Sequence, residues 1–337
     1  MGKLFQKAAI FTDIHFGLKG NSRIHNVDCE NFIKWFIETA QAEGCETCIM
    51  LGDWHHHRSA TNVSTLNYSV SNMGFLNDSF KQTYIITGNH DQYYRDKREI
   101  HSIEFGKLYP NLKIVNEHII EDDVAIIPWL VGDEWKKMKE LNQKYVFGHF
   151  ELPFFKMNAM VDMPDTGTIQ AEDFRNCGTV FTGHFHKRQT KGNVVYMGNA
   201  FPHNYADAGD DERGMIVLEW DKDPKYITWP DQPTYRVFDL GQLLERPEKL
   251  LKPNMHIRCN LDVKISYEEA NFIKETFMPQ YKLREFQLIP KIMEEHATEV
   301  GTSVKFESVD QIVYNQLNAI ESKNFDPKVL IEIYKNL

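Results

Sequence analysis

No apolar run in this 337-residue chain approaches the ~20 residues that a membrane-spanning helix needs, and no membrane partner is expected. The N-terminal stretch Met1-Gly2-Lys3-Leu4-Phe5-Gln6 runs almost directly into an apolar strand, which leaves no room for a signal peptide. A cytoplasmic location is expected on that basis. Cysteine is scarce: Cys29, Cys45, Cys48, Cys177 and Cys259 make an odd count that builds no disulfide framework and suits a reducing compartment. Cys45-Glu46-Thr47-Cys48 has no second pair to complete a structural zinc site, so its expected role is packing. Basic charge is also in deficit. The formal net charge of −10 argues mildly against a stand-alone nucleic-acid binder, although two divalent ions would return four positive charges at a site and a basic partner could supply more. Internal repeats and low-complexity tracts are missing as well.

Histidine, by contrast, is placed with a pattern. Five short apolar runs each end in metal-competent polar residues: Asp13-Ile14-His15, Gly52-Asp53-Trp54-His55-His56, Gly88-Asn89-His90-Asp91, Gly148-His149 and Gly183-His184-Phe185-His186. Loops at strand ends, held by a rigid scaffold, are where catalytic residues concentrate. In Asp13-x-His15, positions i and i+2 of an extended segment point the same way, so a carboxylate and an imidazole can converge on one ion.

The first ninety residues read β-α-β-α-β. A strand covers 7–12, Val27, Ile33, Phe36, Ile37 and Ala40 recur at helical spacing, a strand covers 47–51, a second helix covers about 62–80, and Tyr84-Ile85-Ile86 forms a third strand. After Pro110 come short strands at 112–115, 124–127, 145–147, 180–182, 194–197 and 214–220, with one helix near 133–142. They read as a second run of sheet packed on the first. Trp229-Pro230-Asp231-Gln232-Pro233 reads as a linker, followed by a small β-α-β unit (256–263, 267–277, 283–289) and two amphipathic helices at 309–322 and 327–337.

Imidazole, carboxylate and an Asn carbonyl, without sulfur, suit zinc, manganese or iron better than calcium or magnesium. Seven or more ligands exceed the needs of one ion. Two ions ~3.5–4 Å apart sharing a carboxylate are the economical reading, a geometry that clamps an in-line phosphoryl displacement.

The ordered motif set, with every position filled across 13–186, resembles the calcineurin-like metallophosphoesterase superfamily. The resemblance implies an α/β (α+β) fold of two packed mixed β-sheets flanked by helices in four αββα layers, with a small capping domain and a helical tail. It implies a nuclease domain at 1–232, a DNA-binding or capping domain at 233–295 and a docking tail at 296–337. By the same resemblance Asp13, His15, Asp53 and His186 hold one metal, and Asp53, Asn89, His149 and His184 hold the other, with Asp53 as the bridge. His90 is then the general acid, Asp91 orients it, and a hydroxide on the metals attacks phosphorus.

Within the superfamily, serine/threonine phosphatases carry Asp-Arg-Gly after the second motif and Glu after Asn-His, where this chain has His55-His56-His57-Arg58 and Asp91. The order Gly52-Asp53-x-x-His56-x-Arg58 is similar to the SbcD/Mre-type double-strand-break nucleases, one residue short in the spacing to the arginine. Val194-Val195-Tyr196-Met197-Gly198-Asn199, an acidic loop and Arg213-Gly214 look like that family too, and most like the SbcD-like subunit of phage recombination endonucleases. That resemblance implies a manganese-dependent 3′→5′ exonuclease on duplex ends with single-strand endonuclease activity, with magnesium, zinc or iron as alternative metals. It implies an SMC-like SbcC/Rad-type ATPase partner, allows a homodimer, and puts a phage-encoded copy in the host cytoplasm. His56 takes the position that contacts DNA near the scissile bond. Arg58, Arg95, Lys187 and Arg188 are candidate phosphate contacts, with Lys97, Arg98 and Lys191 in the same two basic clusters. His25, His101, His118, His256 and His296 are expected at the surface or in the core, and the roles of His55, His57 and His203 stay open. A nucleotide or protein phosphatase, or a metal-bearing scaffold, are the competing readings.

Overall fold

A computed structural model describes residues 3–157, 161–263 and 265–290. The expected tail helices and His296 lie outside the described residues. Strands β1 (Lys7–Phe11), β2 (Thr47–Met50), β3 (Gln82–Ile86) and β4 (Leu112–Val115) run parallel in that order. Helices Arg23–Ala42 and Val63–Ser79 form the first two crossovers; Ser22 and Asn62 cap their N-termini by accepting backbone N–H groups. A second sheet holds β5 (Ile119–Glu121), β6 (Val124–Ile127), β7 (Tyr145–His149), β8 (Thr179–Gly183), β9 (Gln189–Lys191) and β10 (Val194–Tyr196), in the order β5-β6-β7-β8-β10-β9. The chain then returns: β11 (Gly214–Glu219) lies antiparallel to β1, and β12 (Lys225–Thr228) closes that edge.

The central strands, β1, β2, β3, β6, β7, β8, β10 and β11, are near-continuous buried runs because both of their faces are covered. Along β1, Ala8 and Ile10 point into the core between the two sheets, against Phe147 and Phe181, while Ala9 and Phe11 point to the helix layer, against Phe32 and Phe36. Alternation with a period of two thus fills two cores from one strand. The outer face of the second sheet packs on Phe150, Phe155, Met138 and Phe174.

Three expectations needed correction. Residues 112–115 and 214–220 join the first sheet, at an edge and beside β1, because the residue pattern of a strand carries no mark of which strand it pairs with. The helix expected at 133–142 is a 3-10 segment, Glu134–Glu140. The 229–233 stretch is a packed turn rather than a free tether, since Trp229 is buried with its ring 5.7 Å from Phe32 and 5.5 Å from Phe201.

A third, all-parallel sheet follows: β13 (Thr234–Asp239), β14 (Met255–Leu261) and β15 (Glu285–Pro290). It has one strand more than the expected β-α-β unit and its own core around Leu240, Leu243, Ile257 and Phe286. Arg284 joins it to the helix Arg23–Ala42 through a bidentate pair with Asp28, 2.8 Å at Nη2.

Candidate metal centre

All five motifs meet at the C-terminal ends of β1, β2, β3, β7 and β8, where the parallel strands of both sheets open onto one face. The first two loops stay paired beyond their strands: Asp13 N–H donates to the Gly52 carbonyl (3.0 Å), His15 N–H to that of Asp53 (3.1 Å) and Phe16 N–H to that of Trp54 (2.8 Å). The turns are tight. Asp13, His15, Asp53 and His184 have φ of 50°, 53°, 60° and 91°, a left-handed conformation that costs non-glycine residues about 1–3 kcal/mol each. Crowding explains two of the glycines. A Cβ at Gly88 would sit 2.2 Å from Asp53 Oδ1, and one at Gly183 would sit 2.1 Å from Thr12 Oγ1 and 2.7 Å from Asp13 Oδ2.

The carboxylates are buried and aimed. Thr12 Oγ1–H donates to Asp13 (2.6 Å), as does His184 N–H (3.1 Å), and His90 N–H donates to Asp53 Oδ1 (2.9 Å). Asp53 lies 3.6 Å from His15 and 3.4 Å from His149, and Asp13 lies 3.8 Å from His15 and 3.9 Å from His186. Asn89 Oδ1 lies 3.0 Å from His149 Nε2 and 3.1 Å from His184 Nδ1. Ligand atoms of Asp13, His15 and Asp53 fall within 4.8 Å of one another, and so do those of Asp53, His149 and His184.

Electrostatics suit a cation. Burial alone would raise the Asp53 carboxyl, but His149, His15 and His90 hold it well below the usual carboxylate range. Burial would lower His149, yet the Asp53 charge outweighs it and pushes the imidazole up to about 9. An ion shared by the two would take the place of that proton. Burial drives His15 well below its ordinary value, and its Nε2 has no hydrogen-bond partner. An orphaned neutral imidazole nitrogen beside two carboxylates is a metal-ready donor.

His56 and His90 stack beside this cluster, 5.1 Å apart and 17° from parallel, with His90 also 4.9 Å from His15. His90 Nδ1–H donates to the His56 carbonyl at 2.6 Å. The Asp91 carboxylate makes no hydrogen bond to the His90 ring, so an orienting role would act through the backbone. The carboxylate instead accepts the N–H groups of Asp53, Trp54, His55 and Gly88 at 2.9–3.2 Å, because burial leaves it those four orphan donors to satisfy. Asp91 therefore ties the second motif to the third.

Of the open histidines, His55 is buried with Nδ1 on Ser102 (2.8 Å), away from the cluster, and His57 flanks His56. His203 is fully buried beside His15 and His186. His25 is a satisfied core residue, bonded to the His15 carbonyl at 3.0 Å. Arg58 is half-buried and Arg95 exposed, neither in an ion pair among the described residues. Arg188 is anchored on the Met197 carbonyl and over Tyr226, and Arg98 is paired with Glu134. The motifs gave no warning of Glu151, 3.3 Å from His184 Nε2, or of Trp129, whose ring covers His184 at 5.1 Å. Glu151 lies two residues after His149, the one signal that could have found it.

Fold and site together define a metal-dependent phosphoesterase, and residues 7–188 match the calcineurin-like phosphoesterase family. The chain belongs to that family, whose members use a dimetal site that the Asp and His clusters fit. It is similar to Exonuclease subunit 1 of Enterobacteria phage T4, 26% identical over 232 residues covering 64% of this chain and 67% of that protein. Similar solved structures include the phosphoesterase Yfce from E. coli (13% identity, TM-score 0.36, 67% of this chain and 94% of that one). Another is the nuclease MPE of Pseudomonas putida (16%, TM-score 0.32, 63% and 84%).

Proposed function

We propose that this chain is the nuclease subunit of an SbcCD/Mre-Rad-type DNA recombination and repair complex, a 3′→5′ exonuclease on duplex ends that also cuts single strands. The observation that carries the reading is the similarity to the phage exonuclease subunit, which runs over a longer stretch than the metal-bearing segment 7–188. Asp13, His15, Asp53 and His186 would hold one ion and Asp53, Asn89, His149 and His184 the other; such donors suit zinc, manganese or iron, and manganese is the metal that the nuclease resemblance implies. Two bound ions would neutralise phosphate charge and lower the pKa of a water that becomes the nucleophile.

The rest falls to the chain itself. A carbonyl oxygen can only accept, so His90 Nδ1 keeps its proton on His56 and Nε2 is the nitrogen that protonates the leaving oxygen. His56, half-buried and pushed down to about 4 by burial and by His90, offers a neutral ring to the phosphodiester. Arg58, Arg95 and Lys187 are the basic side chains available to position the DNA backbone. Residues 233–295 would cap the DNA, and 296–337 would dock on an SMC-like ATPase.

The test is hydrolysis of end-labelled duplex DNA and of p-nitrophenyl phosphate by metal-stripped protein with manganese, magnesium or zinc restored. Manganese-dependent DNA degradation, lost in His90→Ala, is expected. Turnover of the monoester alone would replace this reading with a phosphatase, and inactivity on both substrates, with and without the ATPase, would leave a scaffold.

A further inference from the structure

We propose that His203 is a further protein ligand of the ion held by Asp13, His15 and His186, an imidazole outside the five motifs. The inference rests on reading the centre as metal-binding. His203 has no solvent exposure, and neither ring nitrogen has a hydrogen-bond partner. Buried polar groups left unpaired are rare and ask for an explanation, an absent ion among them. The ring lies 5.5 Å from that of His15 and 5.4 Å from that of His186, and one nitrogen of each of the three falls within 4.8 Å of the others.

The loop holds this imidazole in place. Asn199 N–H donates to the His186 carbonyl (3.2 Å), tying the loop to the last motif. His203 N–H donates to Asp207 (2.8 Å), and the Tyr235 hydroxyl donates to the His203 carbonyl (2.9 Å). Behind it the buried Arg213 grips Asn199 (2.6 Å) and, with two bonds, Asp210 (2.7 and 2.9 Å). Both backbone polar groups of His203 are thus engaged, and its two ring nitrogens are not. Other buried histidines outside the centre differ: His101, also without hydrogen bonds at its ring nitrogens, has Glu104 2.6 Å from Nε2. His25 is bonded through Nε2, and His55 leaves one nitrogen open but bonds Ser102 through the other and has Phe105, not ligand-type groups, beside its ring.

Calorimetric titration of metal-stripped protein with Mn²⁺, paired with thermal unfolding, tests the proposal. Wild type should take two ions; His203→Phe should bind one of them at least about tenfold more weakly. Because the phenyl ring removes two unpaired nitrogens, the metal-free variant should melt no lower than wild type, while its Mn²⁺-induced rise in Tm shrinks. Equal affinities and equal Tm rises in both proteins would overturn the assignment. A wild type that binds no divalent ion would instead overturn the metal-centre reading, and this ligand with it. A measurement that needs no variant is ¹⁵N-histidine NMR of wild type with Zn²⁺. Five imidazoles (His15, His149, His184, His186 and His203) should move to metal-bound shifts, and four, with His203 unmoved, would refute it.

Discussion

The two halves of the centre share Asp53 but are finished differently. Around His149 and His184 the rings find partners within the protein: His149 donates to the Leu51 carbonyl (2.7 Å) and to Asn89, and His184 Nε2 donates to Glu151 (3.3 Å). Around His15 and His186 they do not, since His15 Nε2 and both nitrogens of His203 have no partner. One half is organised by hydrogen bonds before any ion arrives, and the other is organised by packing and left for an ion to complete. Preorganisation of the first kind contributes to folding, whereas the second kind withholds stability until metal binds.

The sharpest test of the division is the residue common to both halves. Asp53→Ala should abolish phosphodiester hydrolysis and the binding of both ions, measured by steady-state turnover and metal titration; retention of either ion would mean that the halves do not depend on a shared carboxylate. His90 belongs to neither half. His90→Ala should lower kcat by about 10²–10⁴-fold, the usual contribution of a general acid, with both metal affinities unchanged. The halves themselves separate in urea unfolding of metal-free protein. His149→Ala breaks a buried pair with Asp53 and should cost about 3–5 kcal/mol. His15→Ala should cost clearly less, because His15 Nε2 has no hydrogen-bond partner, its Nδ1 meets only His56 at 3.4 Å, and it acts on the Asp53 carboxylate less than His149 does, although its loss weakens metal binding. Equal losses would end the comparison.

Much of the self-satisfied half was legible in sequence, because a ligand motif needs particular residue types at particular spacings and Asn89, His149 and His184 sit in such motifs. What finishes each half was harder to read, although His203 stood out as a residue that could line the site. Glu151 is one acid among many, and His203 is a lone histidine after Phe201-Pro202, brought to His15 by the return of the chain to β11. Asp91 was found, but sequence adjacency to His90 says nothing of the four backbone N–H groups gathered around its carboxylate. The same limit applies to the fold. Strand periodicity located β4 and β11, but pairing is a long-range property, so the sheet they join was visible only in three dimensions.

The smallest expected effect is also the most specific to the division. Glu151 is part-exposed, and its carboxylate accepts from His184 Nε2 at 3.3 Å, which both orients the ring and raises its basicity. Glu151→Ala should therefore weaken the Asn89–His149–His184 ion by about tenfold, the low end for loss of a ligand-orienting carboxylate, and leave the other ion unaffected. Glu151→Gln keeps an acceptor without the charge and should fall between Ala and wild type. A Gln variant equal to wild type would assign the role to ring orientation alone, and one equal to Ala would assign it to charge. If Glu151→Ala lowers both affinities together, the ions communicate through Asp53 strongly enough that the two halves act as one site.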